Sequence, residues 1–456
     1  MKVQKLLLLP TVSTAKSTGF PTVTISSGPI QGISTSRPNA VSPVNKFLGI
    51  PYASIPQRFC LPQAPKPWTD TFDAMAFGPA CLQNFGINGK IPEVLEDLFN
   101  TPAPPGSEDC LSINVFAPAI RFLDAGLAVV VFFGFPNSPE IPQSEQNLVL
   151  HDQRLALPCV QENIASFGSN PSKVTTWGQS AGSFSVDHHL KAYANDALVP
   201  FPAAIMSSGQ MSFGHLAHAS SAIDAWTGLS SSVGCGNVTD EIRCMRAVPA
   251  ENLISAMRKY RITFGPHFDN VTVLSKPIPL LMGTVEEEGR GLVNDKVNMT
   301  VFFNAYLPPP LISSEDLETI VSLYRSDTRV KNDFDLASAI YTDLLWSCPQ
   351  SILASIAASS NISTWRYHFN TSILNLLPKE YEWLGKGVIG KFINSPSAGP
   401  GWPAVGSSYA PLEVATLGDV GDTSSVMKVS NSTSLDERCK LFDSIWPKLE
   451  VIEQGG

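Results

Sequence analysis

The sequence predicts an α/β domain built on a doubly wound, mostly parallel central sheet, and three observations lead there. The chain has 456 residues, 43% of them hydrophobic, which is enough to bury a large core. Val129 to Phe133 is a continuous apolar, β-branched run of the kind buried on both faces of a parallel sheet. From residue 110 onward strand-like and helix-like patterns alternate, the order from which parallel sheets are made.

Taken in order, the chain opens with Lys2 and Lys5, the apolar run Leu6–Leu9 and the small residues Ser13–Ala15. A basic start, a short apolar stretch and a small-residue exit predict a secretory signal over residues 1–15. Residues 20–450 read as a single domain, because Pro and Gly are spread along the chain as loop punctuation and no repeat or linker divides it. His151 to Phe167 reads as a helix, with Leu155, Leu157, Val160 and Ile164 supplying its apolar positions. Pro158 conflicts with that reading, since an interior proline removes a hydrogen bond and costs about 3 kcal/mol; the helix is expected to start near it or to kink there. Val174 to Trp177 then reads as a short strand, a helix begins at Ala181, and Ala203 to Met206 is another short strand.

Composition excludes several functions. A formal charge of −9, with no Lys/Arg run longer than two, argues against nucleic acid as a partner. No apolar stretch reaches the ~20 residues needed to cross a bilayer, so no transmembrane segment is expected. No Cys-x-x-Cys pair occurs and the seven histidines do not interleave with the eight cysteines, so no metal site is expected. Asn-x-Ser/Thr sequons begin at Asn237, Asn270, Asn298, Asn361, Asn370 and Asn431, in keeping with an extracellular glycoprotein.

The motif that carries chemistry is Gly178-Gln179-Ser180-Ala181-Gly182, a Gly-x-Ser-x-Gly nucleophile elbow between a predicted strand and a predicted helix. The turn is so sharp that glycine is expected on both sides of the serine. The serine oxygen then stands clear of the backbone, and the Ala181 N–H, at a helix N-terminus, is placed to stabilise an oxyanion.

Other segments carry a resemblance. Phe47-Leu-Gly-Ile-Pro-Tyr-Ala53, Arg58-Phe59 and Pro67-Trp68, then Ser107-Glu-Asp-Cys-Leu-Ser-Ile-Asn-Val115, Asp152–Leu157 and Gln161–Ile164 resemble, with the elbow, the type B carboxylesterase/lipase family, which includes fungal esterases and the cholinesterases. The resemblance implies an α/β-hydrolase fold and a Ser–Glu–His triad with Ser180 as nucleophile. Leu280-Leu-Met-Gly283 followed by Glu286-Glu-Glu-Gly289 is similar to the family's strand-end motif and gives Glu288 the acid's role. It further implies a Cys81–Cys110 disulfide and a Cys235–Cys244 disulfide. Cys348 and Cys439 are a third candidate pair, while Cys60 and Cys159 have no assigned partner and are expected to be buried apolar thiols.

Two pieces of the family pattern are not found. Val129–Phe133 runs straight into Gly134-Phe-Pro-Asn-Ser138, without the glycine-rich oxyanion loop that follows the family's first central strand. That loop, and with it one central strand, read as skipped. Losing one oxyanion donor costs ~10²–10³ in rate. Tyr381–Gly385 then leads directly into Gly387–Phe392 and Gly399–Trp402, bypassing the family's histidine segment, and no histidine follows His368.

Of the histidines present, His368 lies in the strand-like run Trp365–Phe369, where its reading is structural. His188 and His189 fall eight and nine residues beyond Ser180 on one helix, about 12 Å along its axis. The expectation is a secreted serine hydrolase of small-molecule or lipid esters, using no cofactor, whose turnover is impaired as the chain stands. The alternative is a cholinesterase-like binding protein or an incomplete gene product.

Overall fold

The computed structural model describes residues 20–36, 43–55, 57–82, 106–119, 138–142, 145–192, 200–210, 219–262, 264, 278–309, 311–370, 402, 404–405, 413–417, 427–431, 436–442 and 445. The expected signal (1–15), the run Val129–Phe133 and the junction at Gly385–Gly387 lie outside them.

Six strands come first: β1 (Thr22–Ile25), β2 (Gly28–Gln31), β3 (Ile33–Thr35), β4 (Val44–Pro51), β5 (Phe72–Asp73) and β6 (Ser112–Pro118). They form two small three-stranded sheets, β1–β2–β5 and β3–β4–β6. The family-like segment Phe47–Ala53 lies in and after β4, with Phe47, Ile50 and Tyr52 fully buried. Arg58 grips Glu108 through Nε at 2.6 Å and donates to the carbonyls of Met245 and Val248, so a charge from this region is anchored to a helix far along the chain. That ion pair holds the Glu108 carboxyl below its usual range.

Helix α1 spans Leu148–Asn163, and Ile164–Phe167 continues it as a 3₁₀ turn. It therefore begins before the predicted His151 and runs through Pro158, whose ring lies on the exposed face. There the missing hydrogen bond is borne beside solvent rather than in the core, so the helix does not have to start at the proline.

The central sheet follows: β7 (Thr175–Gln179), helix α2 (Ala181–Ala192) and β8 (Ala203–Ser207), then α3 (Ala219–Ser232), α4 (Glu241–Ala247) and α5 (Ala250–Tyr260) before β9 (Leu280–Val285). After β9 come α6 (Met299–Tyr306), α7 (Ser314–Ser326), α8 (Asp333–Thr342) and α9 (Cys348–Ser359), then β10 (Thr364–Phe369), β11 (Glu413–Leu417) and β12 (Met427–Asn431). Strand order is β12-β11-β10-β9-β8-β7, parallel from β7 to β11, with β12 antiparallel at one edge. Among the described residues β7 is the other edge.

Every residue of β8 and β10 is buried, as parallel strands covered on both faces require. Period-two alternation sorts the side chains. Ala204, Met206, Leu280 and Met282 pack with Val186 of α2 and Ala354 and Ala357 of α9, whereas Ala203, Ile205, Leu281, Trp365, Tyr367 and Ala415 form the other face. A separate cluster holds α6 to α9 to the C-terminal segment through Phe442 and Ile445.

Disulfides join Cys81 to Cys110, Cys235 to Cys244 and Cys348 to Cys439, the third being the candidate pair that no family motif supplied. Cys60 and Cys159 are free, but both are half-buried rather than fully enclosed. Polar neighbours account for this: Arg246 donates to the Cys60 sulfur at 3.1 Å, and Asn163 donates to that of Cys159 at 3.7 Å.

Candidate active site

The elbow is built where β7 ends. Ser180 has φ +51°, a left-handed conformation that side chains other than glycine rarely adopt. Its N–H donates to the Ser207 carbonyl at 2.9 Å, and its own carbonyl accepts from Ser183 and Phe184 as α2 begins. A Cβ on Gly178 would stand 2.0 Å from the Gly182 carbonyl oxygen, so that position admits only glycine. At Gly182 the expectation is corrected: among the described residues nothing lies within 4 Å of an added Cβ. The chain needs glycine there for no local contact of the elbow itself. Gln179, Ser180 and Ala181 are exposed, so the serine hydroxyl is presented to solvent at the start of a helix, with the Ala181 N–H beside it.

Beyond the elbow, the neighbouring strand repeats the device. Ser208, just after β8, also has a positive φ of 54°, and its N–H donates to the Gly283 carbonyl at 2.7 Å. Ser207 accepts from Trp177 Nε1 at 2.9 Å and from the Tyr367 hydroxyl at 2.8 Å. Tyr367 reaches it by lying across Gly283, where a Cβ would sit 1.9 Å from the ring. Four adjacent strand ends, those of β7 to β10, are thereby locked together.

Glu288 follows β9 by three residues. One carboxylate oxygen accepts the Val285 N–H at 2.9 Å, and the side chain also meets the Ser208 hydroxyl. Burial raises its pKa to about 7, against the opposing pull of Ser208, the Val285 N–H and the charge of His368. The path from the serine to this acid is short and continuous: Ser180 N–H to Ser207, then Ser208 to Glu288.

His368 does not extend that path. It is buried in β10, opposite Thr284 in register, with Nε2 2.5 Å from a Glu286 oxygen and Nδ1 3.4 Å from the Thr284 hydroxyl. Arg329 bonds the other Glu286 oxygen. Burial pushes the Glu286 carboxyl up, but the hydrogen bonds and charges of His368 and Arg329 outweigh it and hold it below the usual range.

His188 and His189 are buried on α2, and His189 meets Gln153 at 2.8 Å. Burial, then Arg154, His188 and His151, push His189 down to about 3, so it is neutral at pH 7. His215, His218 and His267 lie outside the described residues. No cluster of His, Cys, Asp or Glu able to hold a metal occurs among the described residues, and no helix there is long and apolar enough to cross a membrane.

Ser208 and Tyr367 were not singled out from the sequence. Their signal was present only as Ser207-Ser208-Gly209 after an apolar strand, a pattern too common to read without the neighbouring strand ends.

A strained serine at a strand-to-helix turn, on a parallel sheet whose third strand end carries a half-buried acid, defines the α/β-hydrolase class. The carboxylesterase family model matches residues 19–135 and 130–385, and the chain belongs to that family. Lipase 2 of Diutina rugosa is 28% identical over 400 residues, covering 69% of this chain and 71% of the lipase. Chlorogenic acid esterase of Aspergillus niger is 33% identical over 302 residues, covering 55% of this chain and 57% of that esterase. Acetylcholinesterase of Electrophorus electricus is 30% identical over 386 residues, covering 71% of this chain and 59% of the enzyme. The chain thus spans little more than half the length of the last two. The two family segments meet at 130–135, and the second stops at 385.

Proposed function

We propose that the chain is a secreted carboxylic ester hydrolase scaffold that works through Ser180 and is impaired as it stands. The observation that carries the reading is the elbow: an exposed serine held at φ +51° on a turn that Gly178 alone permits. Ser180 would attack the carbonyl of a small-molecule or lipid ester, and the Ala181 N–H would receive the developing oxyanion. Water would then release the acid from the acyl-enzyme. Glu288 takes the acid's place in the triad, oriented by Ser208 and Val285, and no cofactor enters the scheme.

Impairment is argued from the base. Without an acceptor for its proton a serine hydroxyl is a poor nucleophile, and His368 is engaged by Glu286. The family match breaks and stops at the two junctions where the glycine-rich loop and the histidine segment read as skipped, which supports excision there. Three disulfides and a short basic-apolar start support secretion.

A fluorophosphonate probe tests the nucleophile. Labelling of the folded protein that disappears in Ser180→Ala establishes an activated serine; no labelling turns the reading to a non-catalytic binding protein. Transcript sequence across Val131–Gly134 and Gly385–Val388 tests the excision: restored histidine and glycine-loop codons would make this chain an incomplete gene product.

A further inference from the structure

The supports of the acid are themselves held from behind by a single turn of helix. Between α8 and α9 the chain makes a π-helical turn, Asp343–Ser347, and all five of its residues are buried. Such turns are rare and frequently accompany functional sites. This one lies against the two short segments that carry Glu288 and its partner Ser208.

Two contacts make the connection. The hydroxyl of Thr342, the residue before the turn, accepts the Gly289 N–H at 2.9 Å and donates to the Ser338 carbonyl at 2.8 Å. Gly289 adjoins the acid, and an added Cβ there would stand 2.3 Å from that same carbonyl oxygen. Within the turn, Trp346 donates from Nε1 to the Ser208 carbonyl at 3.2 Å. Two residues beyond Ser208, buried Gln210 donates from Nε2 back to the Leu345 carbonyl at 3.0 Å.

The turn is anchored on its other side. Asp343 accepts from the Tyr324 hydroxyl at 2.7 Å and lies 2.9 Å from Arg438 Nε, while Cys348, directly after the turn, is bonded to Cys439. Packing accounts for a buried indole, but a ring with no donor would fill the same space. Here the N–H is spent on the carbonyl of Ser208, the residue at positive φ whose hydroxyl meets Glu288.

We propose that Thr342 and Trp346 are positioning residues that set the Glu288 carboxylate, the first through Gly289 and the second through Ser208. This deepens the reading of Glu288 as the acid of a Ser180 hydrolase and rests on it. Trp346 fixes the backbone from which the Ser208 hydroxyl reaches the carboxylate. Thr342 fixes the 3₁₀ turn Glu288–Gly291, so that the carboxylate stays on the Val285 N–H.

The test follows the Glu288 titration by ¹³C NMR of the full chain carrying carboxyl-labelled glutamate, with Glu288→Gln identifying the signal. The Ser208 hydroxyl and the Val285 N–H both oppose the upward pull of burial on this carboxyl, so losing either donor raises the midpoint. Trp346→Phe is expected to raise it by about half a pH unit or more, and to add nothing in a Ser208→Ala background. Thr342→Val raises it likewise, and Thr342→Ser, which keeps the hydroxyl, restores the parent midpoint. Trp226→Phe, in a separate cluster, leaves it unchanged.

An unchanged midpoint in folded Trp346→Phe, or a shift that adds in full to that of Ser208→Ala, overturns the role of Trp346. Equal midpoints for Thr342→Val and Thr342→Ser overturn that of Thr342, and this pair carries the test if Trp346→Phe does not fold. Fluorophosphonate labelling is read beside the titration. Midpoints that move as stated in a chain that takes no label refute the hydrolase reading and leave the positioning intact. A labelled chain whose midpoints do not move refutes the positioning alone.

Discussion

The two halves of the candidate site are built to different standards. On the serine side the turn itself is held: Ser180, Ser183, Ser207 and Gly209 bond one another across the ends of β7 and β8. On the acid side the half-buried Glu288 has two hydrogen-bond donors and no bonded cation among the described residues, so desolvation governs its proton. The one nearby histidine among the described residues, His368, pairs instead with Glu286, whose other oxygen Arg329 holds. The difference teaches that an elbow is a local object, completed by glycine and a strand end, whereas an acid–base pair requires chain from a distant segment. A local object survives the loss of such a segment, and a distant pair does not.

The largest expected effect breaks the better half. Gly178→Ala places a methyl group 2.0 Å from a backbone oxygen that no rotamer can move, and should cost about 3 kcal/mol or more, with loss of probe labelling, read from a denaturant midpoint.

Glu288→Gln sharpens the other half. Burial pushes the folded carboxyl up to about 7, from an ordinary value of 4.5. The native state therefore binds more protons between those values, and stability falls as pH rises through that window. The total is on the order of 3 kcal/mol. Glu288→Gln should flatten the slope and be the more stable protein at pH 8; an unchanged slope would place the carboxyl in contact with a cation.

His368→Gln should cost about 2 kcal/mol, because it removes a charge-assisted bond from half-buried Glu286, yet leave any Ser180 labelling intact. Labelling abolished with the fold preserved would make His368 the base after all. The smallest effect is Ser180→Gly, which relieves the positive φ and should stabilise by about 1 kcal/mol while ending labelling.

Much of this was legible in the sequence because it is local. The strands at 174–177 and 203–206, the helix from Ala181 and the buried place of His368 follow from short periodic runs and a glycine-bounded turn, and the structure moves their ends by only a residue or two. The start of α1 was misplaced because Leu148 to Leu150 look like loop-to-strand residues until they pack, and because Pro158 can face solvent. Ser208 and Tyr367 were invisible because their roles exist only across strands: a hydroxyl on β10 meets a serine on β8 over a glycine on β9. The Cys348–Cys439 bond is weakly legible, since 91 residues separate its ends and no local pattern marks it.

That last bond has a topological consequence. It makes a covalent ring of the chain from Cys348 to Cys439, and β10, β11 and β12, half of the six-stranded sheet, all lie inside it. A peptide bond cut anywhere between Pro349 and Arg438 opens the ring without dividing the molecule. Protease-nicked protein would therefore run as one species until it is reduced, and whatever lies between the cut and Cys439 would stay joined to the rest by sulfur alone.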